Sequence, residues 1–483
     1  MSIAIGFAVL AAVLILSALV AGLVERAPLS FPLIFLLLGF CLGPRGIGLL
    51  NIGPNSPVLE LLAVITLSLI LFLDAVNLES TEQKRDLVVP LLTLGPGTLL
   101  VIALGSLAAY FLLQLPANLA VLTGAILAST DPVVLRDVVR DARIPIPIRR
   151  ALSIEAGAND IVVLPIVLVL LAAGGNRLSS LTQWAVFLPK LLLLGPLCGF
   201  VIGGLGAWVM ARVDRVTPIR REYQSLFGVG LVFGAYAAGV TVGVDGFLAA
   251  FAAGLAVTVL NQELCDCFLE YGEATAEIAM LLSFVLFGAL LSTLISGSLL
   301  WPSLALAGVV IFLVRPLAML LVLLRAPAIS WAARSMIAWF GPRGLTSLLF
   351  ALLIVQSGLP QSVKLLSVIG TVVIVSVVLH GMSATPLSSW YGRLLHRRTL
   401  REERESTASG IFQGEADVPR ISPEELAARL ESSNPPVVLD VRSRSQYEHD
   451  REQIPASVRV LPDQVAEWGR RQDRHLELVL YCT

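Results

Sequence analysis

Two short polar stretches carry carboxylates into strongly apolar sequence: Ser129-Thr130-Asp131-Pro132 and Glu155-Ala156-Gly157-Ala158-Asn159-Asp160. Each lies in a run long enough to cross a bilayer, where an ionised side chain costs at least about 2.5 kcal/mol on insertion scales and by default marks an ion pathway. Two carboxylates in one dehydrated pocket cannot both stay charged without a counter-ion, because desolvation and mutual repulsion disfavour the second charge. They must take up a proton or a metal ion. Small hard cations such as Na+ prefer oxygen, which Asp131, Asp160, the Thr130 hydroxyl and backbone carbonyls freed near Pro132 could supply. Cation and proton then compete for one negative charge, and a competing site whose access alternates between two sides is an exchanger. No glycine-rich phosphate loop ending in Gly-Lys-Ser/Thr accompanies these residues, so nothing calls for ATP or another bound cofactor.

The helical spacing supports a shared site. Glu155 and Asn159 are four apart, as are Ala156 and Asp160, so each pair stacks on one face and the two faces adjoin. Asn159 is expected to hold the interrupted backbone near Pro132 through its amide. Glu155 needs its own partner, and Arg343 is the natural candidate for a buried pair; the plainer alternative is a Glu155 that snorkels from the span end. Asp245 stands at a span start, where it can face water. Arg315, beside Pro316 in mid-span, is expected to pair with a carboxylate or with backbone carbonyls.

The elements that must position these residues follow from composition. Of 483 residues, 56% are hydrophobic and 14% charged, with a mean hydropathy of +0.84; soluble domains run at about 45–50% apolar and about 25% charged. The chain reads as a polytopic all-α membrane protein. At about 20 apolar residues per crossing, thirteen spans are expected before residue 390, beginning near 2, 31, 58, 87, 117, 148, 184, 223, 244, 277, 301, 331 and 363. Pro132 interrupts the fifth, and Gly341-Pro342-Arg343-Gly344 interrupts the twelfth. Breaks of this kind in lipid must line protein or a water-filled cavity, and two of them seven spans apart fit corresponding positions in inverted repeats. Lys and Arg concentrate after odd-numbered spans, including Arg136, Arg140, Arg143, Arg149 and Arg150, which places the N-terminus outside and the C-terminus in the cytoplasm. The acidic stretch 261–276 reads as a solvated loop. A net charge of -1 gives no reason to expect a nucleic-acid partner.

Beyond Trp390 the composition changes. Residues 391–420 read as a linker, first Arg-rich and then flexible, and 421–483 as a small partial α/β unit: a helix opened by Ser422-Pro423, then strands at Pro436–Val441 and Leu478–Cys482.

In order and spacing, Ala128-Ser129-Thr130-Asp131-Pro132, Glu155 through Asn159-Asp160, Val244-Asp245-Gly246-Phe247-Leu248-Ala249 with Gly254, and Gly341-Pro342-Arg343-Gly344 resemble the monovalent cation:proton antiporters, in the Asn-Asp branch that includes sodium/proton exchangers. The resemblance implies thirteen spans in inverted repeats, a homodimer with a dimerisation domain, and a mobile core whose two crossed discontinuous helices carry the ion site in a bacterial plasma membrane. It implies Asp160 as carrier of ion and proton, assisted by Asp131 and Thr130, a structural Asn159, a Glu155–Arg343 pair, and electroneutral exchange of Na+, Li+ or K+ for H+, with Na+ foremost. The family often places Ser where this chain has Ala156, so another oxygen must complete the ligand set.

Val438-Leu439-Asp440-Val441-Arg442, Tyr447-Glu448, Ile454-Pro455 and Leu480-Tyr481-Cys482 resemble the first part of a rhodanese domain, in which Cys482 would be the sulfur-accepting cysteine. With the chain stopping at Thr483 and Glu452-Gln453 replacing the usual Gly-His, the expectation is a regulatory remnant that binds a cytoplasmic ligand or protein, or an incomplete sequence, and no sulfurtransferase activity in this chain. A cation channel or sensor, and a membrane-tethered sulfurtransferase, are the alternatives; uncoupled voltage-dependent current or Cys482-dependent thiocyanate formation would mark them.

Overall fold

In lipid every backbone N–H and C=O must find a partner within its own segment, so runs of Leu, Ile, Val and Ala of this length fold as helices. The computed structural model describes residues 3–24, 30–77, 88–141, 143–175, 180–295, 297–326, 329–397, 421–432, 435–449, 452–470, 472 and 476–481. The helices of the membrane unit are α1 (Ile3–Val24), α2 (Phe31–Leu42), α3 (Pro57–Asn77), α4 (Val88–Leu113), α5 (Ala117–Ile126), α6 (Pro132–Arg140), α7 (Ile146–Gly174), α8 (Leu181–Val216), α9 (Arg221–Val242), α10 (Gly246–Leu260), α11 (Gln262–Leu294), α12 (Gly297–Leu323), α13 (Trp331–Trp339), α14 (Leu345–Gln356) and α15 (Ser362–Arg397). Among the described residues eight helices are long and apolar enough to cross a bilayer, and five shorter apolar ones occupy the remaining expected spans. Large apolar side chains such as Leu193, Leu197, Phe200 and Trp208 of α8 are exposed on the outside, as a lipid-facing helix requires.

Prolines shape the long helices from within. Pro196 and Pro316 each lack an amide donor and crowd the carbonyl four residues back, at Leu192 and Phe312. The backbone relaxes there into single π-type turns, Lys190–Leu194 and Val310–Val314. The second turn ends immediately before Arg315, which it helps to present to the protein interior. A third π-type turn, Thr93–Gly97, contains Pro96. Elsewhere small residues let helices meet backbone to backbone: Gly199 and Gly203 of α8 lie against Ala249 and Ala253 of α10, and Gly39 of α2 against Val285 of α11.

The acidic stretch expected as a loop is helical. Residues 262–294 form one continuous α11, with Asn261 Oδ1 accepting from the Leu264 amide at 3.0 Å. On its fourth and fifth turns Glu273 and Glu277 lie against Arg136, a tertiary pairing where the stretch that composition assigns to solvent meets the expected span. At the other end, α15 continues through Arg397, beyond Trp390.

The tail forms α16 (Pro423–Leu430), capped by Ser422 Oγ accepting from the Glu425 amide, then β1 (Val437–Asp440), α17 (Arg444–His449), β2 (Val458–Arg459), α18 (Val465–Arg470) and β3 (Leu478–Tyr481). The strands make one parallel sheet in the order β2-β1-β3, with Leu439 opposite both Val458 and Leu480. Most of the linker, residues 398–420, and Cys482 lie outside the described residues.

Candidate functional site

The two interrupted helices meet at their breaks. Between α5 and α6 the chain leaves helical geometry at Leu127–Asp131, and between α13 and α14 at Phe340–Gly344. Asp131 joins the two. Its amide donates to Pro342 O at 2.9 Å. Its carboxylate caps both following half-helices: Oδ1 accepts from the Val133 amide and Oδ2 from the Leu345 amide, each at 2.8 Å. Two positive helix ends therefore converge on one buried carboxylate, 2% exposed. Gly344 is required by this approach, because a β-carbon there would overlap the Asp131 carboxylate.

Asp160 comes from α7 and is fully buried. Its Oδ1 accepts from the Ser129 hydroxyl at 2.6 Å, which links the carboxylate to the first break. Its Oδ2 has no hydrogen-bond partner among the described residues. A third carboxylate, Asp74 of α3, lies within electrostatic range of both Asp160 and Asp131. It packs against α7, where a β-carbon on Gly157 would stand 3.7 Å from Asp74 Oδ1, and its Oδ2 is likewise unpartnered. Buried polar oxygens are almost always hydrogen-bonded; two orphan carboxylate oxygens in one region are acceptors without a donor. Asp74, Asp131 and Thr346 line a narrow cleft of about 50 Å³, room for a few waters or a partly dehydrated cation. Asp160 stands beside Thr346.

Behind this cluster lies a cationic scaffold, and here the structure corrects several sequence-based pairings. Glu155 is buried as expected, but its partner is Arg315, not Arg343: the guanidinium forks both carboxylate oxygens at 3.0 and 2.8 Å, with side chains 3% and 0% exposed. Arg315 also donates to Phe340 O at 2.7 Å, so the pair fastens α7 and α12 to the second break. Gly341 permits this, since a β-carbon there would overlap the guanidinium. Arg343 reaches across to the first break instead, donating through Nη1 to Ala128 O and Ser129 O, each at 3.0 Å. Its own amide is held by Ser376 Oγ of α15 at 2.7 Å. Arg343 thus satisfies, through Nη1, carbonyls that an interrupted helix leaves open, while the Glu155 carboxylate is forked by Arg315.

Thr130 is the second correction. Its hydroxyl donates to Glu155 Oε1 at 3.1 Å and accepts from Arg343 at 3.2 Å and Arg315 at 3.4 Å. With these partners the Thr130 hydroxyl belongs to the scaffold and not to a ligand set. Asn159 is the third: its Nδ2 donates to Thr98 Oγ1 of α4 at 3.1 Å and not to the interrupted backbone. Asp245 caps α10, accepting from the Leu248 amide at 2.8 Å. Cys482, the expected rhodanese-like cysteine, lies outside the described residues.

The structure thus brings Asp131 and Asp160 into one cluster and adds Asp74, Ser129 and Thr346, which the residue-by-residue reading did not assign. Asp74 sits in Leu71-Phe72-Leu73-Asp74-Ala75-Val76, an apolar run whose lone carboxylate is the same signal that marks Asp131 and Asp160. Chemically the cluster can accept a proton or a cation on carboxylate oxygens that lack a donor in hydrogen-bond geometry among the described residues.

The family model described as sodium/hydrogen exchanger, transmembrane, matches residues 14–390. A K(+)/H(+) antiporter NhaP of Alkalimonas amylolytica is 30% identical over 388 residues, covering 78% of this chain and 65% of the relative. A K(+)/H(+) antiporter NhaP2 of Shewanella sp. strain MR-4 is 26% identical over 379 residues, with the same coverage. The chain therefore spans 65% of the length of these curated relatives. Among solved structures, the sodium proton antiporter MjNhaP1 from Methanocaldococcus jannaschii at pH 8 superposes with a TM-score of 0.66 at 23% identity, over 79% of this chain and 100% of that one. The fold is the one that protein has. From its match over residues 14–390 and its apolar helices, the chain is an integral membrane protein belonging to the sodium/hydrogen exchanger family.

Proposed function

We propose that the chain is a secondary antiporter that exchanges a monovalent alkali cation for H+ at Asp160. The observation that carries this is a cluster of buried carboxylates beside a cleft opening to Asp131, in which Asp160 Oδ2 and Asp74 Oδ2 have no donor in hydrogen-bond geometry among the described residues and the Thr346 side chain interacts with Asp160. A proton on Asp160 satisfies its oxygen; so does a cation coordinated between Asp160 and Asp74, with the Ser129 hydroxyl and Thr346 supplying neutral oxygens that Ala156 does not. Asp131 assists by locking both half-helix ends beside the ion, while Glu155, Arg315, Arg343, Thr130 and Asn159 hold the scaffold. When Asp160 alone changes its occupant, one proton leaves for each cation taken up and no net charge moves.

Na+ is the first candidate; relatives named for K+/H+ exchange and a structural neighbour named for sodium/proton exchange make K+ its direct competitor. A bacterial plasma membrane, a cytoplasmic C-terminus on the side of Arg140 and Arg143, and a homodimer through an apolar face such as that of α8 complete the reading. The tail, residues 421–483, is a rhodanese-like unit with a binding role, in keeping with its parallel three-stranded sheet. Collapse of an imposed pH gradient in everted vesicles on addition of Na+, K+ or Li+ tests the activity. Cation-dependent proton flux that vanishes in Asp160→Asn is expected; flux surviving that substitution would remove Asp160 from the mechanism.

A further inference from the structure

The cleft leading to Asp74 and Asp131 is bordered by a cation of the chain's own. Arg136 of α6 lies five residues beyond Asp131 and lines the cleft together with Glu273 and Glu277 of α11. Its Nη1 contacts both carboxylate oxygens of Glu277 at 3.2 Å, and Nη2 lies 3.5 Å from Glu273 Oε1. Arg136 and Glu277 side chains are 26% and 28% exposed, so the pair is wet and able to part. The cleft lining carries four carboxylates, Asp74, Asp131, Glu273 and Glu277, and one guanidinium, that of Arg136; outside the lining, Arg140 Nη2 lies 3.8 Å from Glu273 Oε1. One of them, Asp74, is 5% exposed with an oxygen that receives no hydrogen bond.

Resting on the antiport reading, we propose that Arg136 is an internal counter-cation that sets the affinity of the cleft for the transported ion. Held on Glu277, it offsets much of the negative potential that would otherwise draw cations in, without touching the ion. Released from Glu277, its flexible side chain can swing toward Asp131 and Asp74 and compete there with the incoming ion. Glu277 therefore serves as the parking place of a competitor. An ordinary wet salt bridge between two helices contributes little to stability, and losing either partner acts in one direction. The counter-cation makes the two single substitutions act in opposite directions on affinity.

The measurement is cation-driven proton flux in vesicles of the full chain, with Na+ or K+ varied on the face to which the cleft opens. Arg136→Gln is expected to lower the half-saturating cation concentration about threefold, and Glu277→Gln to raise it about threefold, with maximal rates moving less. Arg136→Lys, which keeps the charge, should stay near the unmodified protein, and the double Arg136→Gln/Glu277→Gln variant should return toward it. Half-saturation shifting the same way in both single variants, or changes confined to maximal rate, would overturn the role of Arg136. Glu277→Gln decides the sign even if the arginine variant is not recovered in the membrane. Absence of exchange by the unmodified protein would instead defeat the antiport reading, so the two failures are distinguishable.

Discussion

Glu155 supplies the sharpest structural prediction, because the buried arrangement around it distinguishes two arginines. Its carboxylate is fully buried and forked by Arg315 at 2.8 and 3.0 Å, while Arg343 bonds backbone carbonyls of the first break. Substituting Glu155 by Gln leaves the Arg315 guanidinium buried with only carbonyls, the Thr130 hydroxyl and a neutral amide around it. Breaking one partner of a buried pair costs about 3–5 kcal/mol, far more than the net contribution of the intact pair. Arg315→Met should destabilise by a comparable amount, since Glu155 would be left buried with the Thr130 hydroxyl as its donor. The double variant removes both charges and should recover much of the loss, giving a coupling of at least about 2 kcal/mol; a Glu155→Gln/Arg343→Met cycle should give under about 1 kcal/mol. Equilibrium unfolding in mixed detergent micelles, followed by tryptophan fluorescence, measures both cycles. Coupling to Arg343 equal to or larger than coupling to Arg315 would refute the reasoning, as would a Glu155→Gln variant of unchanged stability.

Asp74→Asn should raise the half-saturating cation concentration by about tenfold while leaving unfolding nearly unchanged, because it removes a charge that no donor satisfies; flux assays over a cation series check it. Gly344→Ala should abolish exchange and lower yield, since the added methyl overlaps the Asp131 carboxylate; a wild-type-like variant would mean that the breaks are not packed as described. Beyond the membrane, burial alone would raise Asp141, but hydrogen bonds from the Arg143 guanidinium and amide outweigh it and hold the carboxyl below its ordinary range. A depressed carboxyl stabilises above its unfolded value near about 3.9 and loses that contribution as pH falls through the folded value. Asp141→Asn should therefore be less stable than the unmodified protein at pH 6, with the difference shrinking below about pH 4 in detergent unfolding.

The site was legible where charge contradicts surroundings. Asp131, Asp160 and Glu155 stand out because carboxylates are costly in apolar runs, and Pro132 and Gly341–Gly344 because they interrupt such runs. Asp74 carries the same signal near the end of its helix, where sequence alone does not separate a buried carboxylate from one that snorkels. The choice between Arg315 and Arg343 for Glu155 was not legible, because both are buried arginines far away in sequence and only the crossing of the two breaks decides which carbonyls need a donor. The partner of Asn159 is hidden for a related reason: helical spacing fixes the face of a side chain, not the neighbour that face meets. The first part of the helix, residues 262–276, reads as a loop by composition because the partner of Glu273, Arg136, lies well over one hundred residues earlier. The thirteen spans themselves follow from hydropathy alone, since in lipid the backbone has almost no alternative to helix.

Competition between proton and cation for the free oxygen of Asp160 is tested most directly by counting protons released when Na+ or K+ is added to purified, weakly buffered protein. One proton per cation bound, and none from Asp160→Asn, is the expected result. Saturable cation binding with no proton released, or release that persists in Asp160→Asn, would contradict it.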